Sequence, residues 1–178
     1  MSAMLKKRYG PWVDQGPTSS IDHAKVRTRV LAIPQAGMGA WAFHGWQAAL
    51  PETVELLPVE LPGRNSRMLE PKGQSMRQLV TALVDALAET LRETPFVVFG
   101  HSLGAWMAYE VCVELQKRRG PQPVGLVVSG ARAPQLADPK NDADRVQPRM
   151  AELPSAAFWA HFERRYGSLR LCENHKLS

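Results

Sequence analysis

Ser102 stands in Gly100-His101-Ser102-Leu103-Gly104, a G-x-S-x-G arrangement with four apolar residues before it and apolar residues at helical spacing after it. That context suits a nucleophile. A tight strand-to-helix turn strains the backbone of its serine and lifts the hydroxyl clear of the sheet, and glycines on either side keep other side chains out of the way. The amide of Leu103, at the start of the following helix, is placed to steady a developing oxyanion. A second donor is expected from the glycine-containing loop "PQAGMG" (34–39), which ends the apolar run "VLAI". His101, as the neighbour of the serine in the turn, is expected to point away from it and pack locally.

A serine hydroxyl is a weak nucleophile until a histidine takes its proton, and a carboxylate orients that histidine. On this architecture both follow the serine in chain order, acid first. After Ser102 the histidines are His161, within the aromatic stretch "SAAFWAHFERRY", and His175, in the polar, unpatterned "GSLRLCENHKLS". Neither has the setting of a catalytic base, so the acid and the histidine are read as missing from this chain.

The elements around the serine follow from periodicity. "RVLAIP" (29–34), "VELLPVELPG" (54–63), "FVVFG" (96–100) and "VGLVVSG" (124–130) read as buried strands. Pro58 places the second strand at an edge, because proline cannot donate to a ladder. Ser75 and Gln78 form a capping-box pattern ahead of Leu79, Val80, Leu83, Val84, Leu87 and Leu91, which recur as one face of a helix. Leu103, Met107, Val111 and Leu115 mark another, closed by Lys117, Arg118, Arg119 and Gly120. Strands alternating with helices imply an α/β protein, a parallel sheet covered on both faces. Residues 1–25, interrupted by Gly10, Pro11, Gly16 and Pro17, read as a loose N-terminal leader, and 26–178 as a single α/β domain.

Composition excludes several function classes. The net charge of +5 is carried by the ends: residues 1–29 hold six Lys/Arg against two Asp, and 164–178 four against one Glu, while 30–163 hold twelve against fourteen acids. No basic face interleaved with aromatics supports nucleic-acid binding. No apolar run is long enough to span a membrane and no secretory signal is visible, so a cytoplasmic, membrane-free protein is expected. Cys112 and Cys172 are too few for a disulfide framework or a metal cage, Cys112 reads as core filling, and nothing implies a metal or an organic cofactor.

From about residue 28 to about residue 167, "PQAGMGAWAFHGW", "VELPGRNSR", "FVVFGHSLGAW" and "LVVSGARAP" resemble, in order and spacing, the stand-alone (type II) thioesterases of nonribosomal peptide and polyketide synthesis. These are close relatives of the medium-chain acyl carrier protein hydrolase of fatty acid synthesis. The resemblance implies an α/β-hydrolase that frees acyl groups from the phosphopantetheine arms of acyl- or peptidyl-carrier domains through an acyl-serine intermediate. It maps Ser102 onto the nucleophile and Ala36 and Leu103 onto the backbone oxyanion donors, with Met38 standing where a second glycine is usual. It implies a helical lid at about 135–167, and further strands beyond the four found here, carrying the acid and the histidine. The domain is thus read as incomplete at its C-terminus, with impaired catalysis and its fourth strand left as an edge open to self-association. A carrier-binding or regulatory form without catalysis is the alternative, and a general serine esterase a further one. A malonyl-type acyltransferase is disfavoured because Ala105 stands where that class has Glu.

Overall fold

A computed structural model describes residues 9–16, 21–73, 75–133, 136 and 152–166. Contacts divide the chain into two units, Met1–Ala131 and Arg132–Ser178. The first holds four strands, β1 Thr28–Ile33, β2 Val54–Pro58, β3 Phe96–His101 and β4 Gly125–Ser129, all parallel in the order β2-β1-β3-β4. Regular pairing in β2 stops at Pro58, short of the expected residue 63.

Between the strands run a short α1 (Trp46–Ala49), a long α2 (Met76–Arg92) and α3 (Leu103–Lys117). Helix α2 begins as its sequence dictates: Ser75 Oγ accepts the Gln78 amide at 3.2 Å. Its apolar face, Val80, Leu83, Val84, Leu87 and Leu91, packs with Met107, Ala108, Val111 and Leu115 of α3 over Leu31, Ile33, Leu57, Phe96 and Val98. Cys112 is half-buried against this core, and burial pushes its thiol pKa up. The opposite face is covered more thinly, by Phe43 and Trp46, whose rings lie 5.9 and 5.2 Å from that of Phe99. At β4 the cover gives out: Leu126, Val127 and Val128 are 39 to 51% exposed.

Residues 9–16 correct the reading of the first 25 residues as a loose leader. Tyr9 and Trp12 are buried. Val13 bridges Val59 in antiparallel fashion, the Asp14 amide donates to the Pro58 carbonyl at 3.1 Å, and the Glu60 amide donates to the Trp12 carbonyl at 2.9 Å. This strap closes the outer edge of β2, and the missing N–H of Pro58 costs nothing because its carbonyl is what the strap needs. Lower down, Tyr9 Oη donates to Glu55 Oε1 at 2.6 Å, and Gln15 Nε2 to the same oxygen at 3.1 Å. Glu55 Oε2 meets Arg29 Nε at 3.0 Å, and the rest of that guanidinium is taken by the Thr90 carbonyl and Glu93.

In the second unit, α4 (Ser155–Tyr166) forms where the aromatic spacing predicts, with Phe158, Trp159 and Phe162 in mutual ring contact. Most of the expected lid, and Cys172 and His175, lie outside the described residues.

Arg29 and Glu55 are both almost wholly withdrawn from solvent, so removing Glu55 takes from Arg29 its buried partner and leaves it paired with the half-exposed Glu93. Glu55→Leu is expected to destabilise the fold by about 3–5 kcal/mol, and Tyr9→Phe by about 1 kcal/mol. Urea denaturation of the two variants checks both.

Candidate active site

The site is built on the C-terminal ends of β1 and β3, which lie side by side with Ile33 opposite Gly100. Ser102 follows β3 with φ 52 and ψ −116, a conformation L-residues resist. The contacts around it leave no room for another one. A Cβ on Gly100 would lie 2.1 Å from the Gly104 carbonyl oxygen, and a Cβ on Gly104 would lie 2.2 Å from the Ile33 oxygen and 2.5 Å from that of Pro34. The first turn of α3 is therefore pressed backbone to backbone against both β3 and the end of β1. The Ser102 amide donates to the Ser129 carbonyl at 2.8 Å, which ties the turn to β4 as well.

Ser102 is half-buried, and no side chain among the described residues hydrogen-bonds its hydroxyl. Leu103 opens α3, so its N–H has no carbonyl one turn earlier in the helix to bind and points with the positive end of the helix dipole. Ala36 is exposed in a turn closed by Met38 N–H to the Gln35 carbonyl at 3.2 Å. Gly37, at φ +83, fills the one position of that turn requiring glycine. Met38 comes after it, where any residue fits, so the methionine is accommodated without distortion of the turn type. Loop and elbow meet where Gly104 touches Ile33 and Pro34, so the two amides belong to one rim of the sheet.

His101 is held where a neighbour of the serine was expected: its Nδ1 lies 3.1 Å from Ser129 Oγ, and its ring lies beside Gly130. His161 sits on α4, in the second unit. Among the described residues there is no group of His, Cys, Asp and Glu that could hold a metal ion, and no helix long and apolar enough to cross a membrane.

Sequence reasoning missed Glu60. Only 1% exposed, it lies under the loop after β1: a Cβ on Gly39 would fall 1.8 Å from its Oε1, an oxygen with no hydrogen-bond partner among the described residues. Its Oε2 accepts from Asn65 Nδ2 at 2.9 Å. Burial pushes its carboxyl above the usual carboxylate range, and Asn65, the Ala40 backbone N–H and Arg67 offset this only in part. The signal was present in "VELLPVELPG", where two glutamates interrupt an otherwise apolar strand.

A parallel sheet with a strained serine between the third strand and its helix, beside a glycine-bearing loop from the first, defines an α/β-hydrolase fold. Residues 28–175 match the model of the thioesterase domain, and the chain belongs to that family. It is 38% identical over 140 residues to the thioesterase PikA5 of Streptomyces venezuelae, covering 79% of this chain and 47% of that protein. It is 33% identical over 120 residues to the gramicidin S biosynthesis protein GrsT of Aneurinibacillus migulanus, covering 67% and 46%. Among solved structures, the RedJ thioesterase from the prodiginine pathway of Streptomyces coelicolor matches with a TM-score of 0.72 and 35% identity over 97% of this chain and 61% of that one. The chain thus spans about half the length of these curated relatives.

Three outcomes follow from the geometry. Ser102→Gly relieves a strain that Ser102→Ala retains, so the glycine variant is expected to be the more stable of the two by about 1–3 kcal/mol in denaturant titrations. Gly104→Ala forces α3 off the end of β1 and should abolish reaction of Ser102 with a fluorophosphonate in intact-mass analysis. For Glu60, the folded chain binds the carboxyl proton more tightly than the unfolded one. Its contribution is therefore fully present below the ordinary carboxylate pKa and declines as pH rises through the raised value. The stability of Glu60→Gln relative to wild type is expected to climb over that interval and then level off, measured from about pH 4 to about pH 8.

Proposed function

We propose that the chain is a thioesterase that acts on acyl thioesters held on the phosphopantetheine arm of acyl- or peptidyl-carrier domains, through an acyl-Ser102 intermediate. The observation that carries this is the strained serine at the head of α3, in a chain whose family is the thioesterase domain. Ser102 Oγ adds to the thioester carbonyl, and the amides of Leu103 and Ala36 hold the oxyanion of the tetrahedral intermediate. Collapse expels the pantetheine thiolate, which takes up a proton, and leaves the acyl-serine. Water then adds to the ester carbonyl, and a second collapse releases the carboxylic acid and restores the hydroxyl. The two N–H groups are used only when charge develops, which lowers the barrier rather than tightening substrate binding.

The step that this chain supports least is removal of the Ser102 proton. No histidine of the first unit hydrogen-bonds Ser102 among the described residues, and turnover is expected about 10⁴-fold or more below that of a complete triad. The β4 edge, with Val127 and Val128 about half exposed, supports self-association by strand pairing. Sedimentation velocity across a range of concentrations tests this, and a single monomeric species throughout would rule it out.

The decisive experiment is intact-mass analysis of the 178-residue chain after exposure to an acyl-pantetheine thioester and, separately, to a fluorophosphonate. Acylation at one site that disappears in Ser102→Ala supports the reading. Binding of a carrier domain without acylation, unchanged in Ser102→Ala, would replace it with that of a non-catalytic carrier-binding form.

A further inference from the structure

We propose that the loop between β2 and α2, with Met68 and Leu69 at its tip and Arg64 and Lys72 at its base, is the surface on which the carrier domain docks. The inference rests on the thioesterase reading above and names where its macromolecular substrate is held. The loop rises from the same end of the sheet as Ser102. Glu60 and Asn65 both reach the position a Gly39 Cβ would take, so the loop abuts the segment that carries Ala36.

Its apolar tip is built, not floppy. The Gly63 amide donates to the Arg67 carbonyl at 3.0 Å, Arg67 to Arg64 at 2.7 Å, Met68 to Asn65 at 3.1 Å and Glu70 to Arg67 at 2.9 Å. The Arg67 side chain is buried: it donates to the Glu60 carbonyl at 3.0 Å, and its guanidinium lies 4.4 Å from the centre of the Trp12 ring. This scaffold holds Met68 62% exposed and Leu69 fully exposed. A rigid loop that holds two large apolar side chains in water has the form of an anchor for a partner.

The charges select the partner. Of the loop's two acids, Glu60 is buried, and Arg67 grips the exposed Glu70 with two hydrogen bonds, at 2.8 and 2.6 Å, holding its carboxyl below the usual range. Arg64 and Lys72 form no ion pair with any described residue, and Lys72 folds over Gly63, whose missing Cβ leaves room for it. What faces solvent is thus an apolar pair beside two uncompensated cations. A carrier domain offers the complement at the root of its arm, the anionic phosphodiester through which the pantetheine is attached.

The test titrates the full chain with two probes. One is the holo-acyl carrier protein of fatty acid synthesis, loaded with octanoyl through an amide that cannot be cleaved; the other is the free octanoyl-pantetheine amide. Leu69→Asp and the double variant Arg64→Glu/Lys72→Glu are each expected to weaken carrier binding at least tenfold and to leave binding of the free amide unchanged. Lys117→Glu, at the far end of α3, should change neither. The altered side chains at 69 and 72 are exposed, and matching thermal melts will confirm that the variants fold. Equal carrier binding by wild type and variants overturns the proposal and leaves the thioesterase reading standing. So does a wild type that binds the free amide and no carrier, one that binds anionic lipid vesicles in the carrier's place, or one whose dimer is dissolved by Leu69→Asp. If neither probe binds, the thioesterase reading itself falls.

Discussion

Ser102 holds a backbone conformation that costs about 1–3 kcal/mol, and everything around it acts to keep it there. The carbonyls of Ile33 and Pro34 fill the space beside Gly104, the Gly104 carbonyl fills the space beside Gly100, and Ser129 anchors the serine's own amide. These contacts tie three strands and a helix to a single turn. The sheet must be parallel for its strand ends to converge on one rim, α3 must start where β3 stops, and the loop after β1 must pass within backbone distance. A reactive hydroxyl is the local result of a constraint that reaches across the unit.

At the other end of the strands the demand is for cohesion. Arg29 and Glu55 sit side by side on β1 and β2 with their hydrogen-bonding capacity consumed by Tyr9, Gln15, Thr90 and Glu93. The arrangement links the strap, two strands and the end of α2. A buried ion pair of this kind stabilises little relative to apolar packing, yet punishes any change that satisfies only half of it. It therefore fixes which segments meet, while the apolar core between α2, α3 and the sheet contributes most of the favourable free energy.

Strands and helices were legible because their signals are local. Alternation of apolar runs with helical repeats gave the parallel sheet, and the G-x-S-x-G turn between β3 and α3 gave Ser102 and Leu103. The strap was not legible. Tyr9 and Trp12 lie among glycines and prolines with no period, and their partners, Glu55 and Glu60, are more than forty residues away. A segment whose order comes from distant groups shows nothing of it in its own sequence. Glu60 went unread for the opposite reason: charge at the end of a strand usually means solvent, and only the close approach of Gly39 turns it into a buried brace beneath the loop. Sequence alone also could not show that Glu70, the exposed acid in the loop after β2, is neutralised from within it.

The strap leaves the two sides of the sheet unequal. Edge β4 is bare among the described residues, whereas β2 is sealed by eight residues that hold on through a few hydrogen bonds and two aromatic side chains. Such a cover can peel away while the sheet stays intact, and in doing so it would flood the Arg29–Glu55 pair with water and bare a second apolar margin. The least costly excursion from the native state would then be a species with sticky edges on both flanks, able to grow by addition at either end. Aggregation of this protein would in that case begin from a nearly native molecule, governed by how often the strap lets go rather than by how often the chain unfolds.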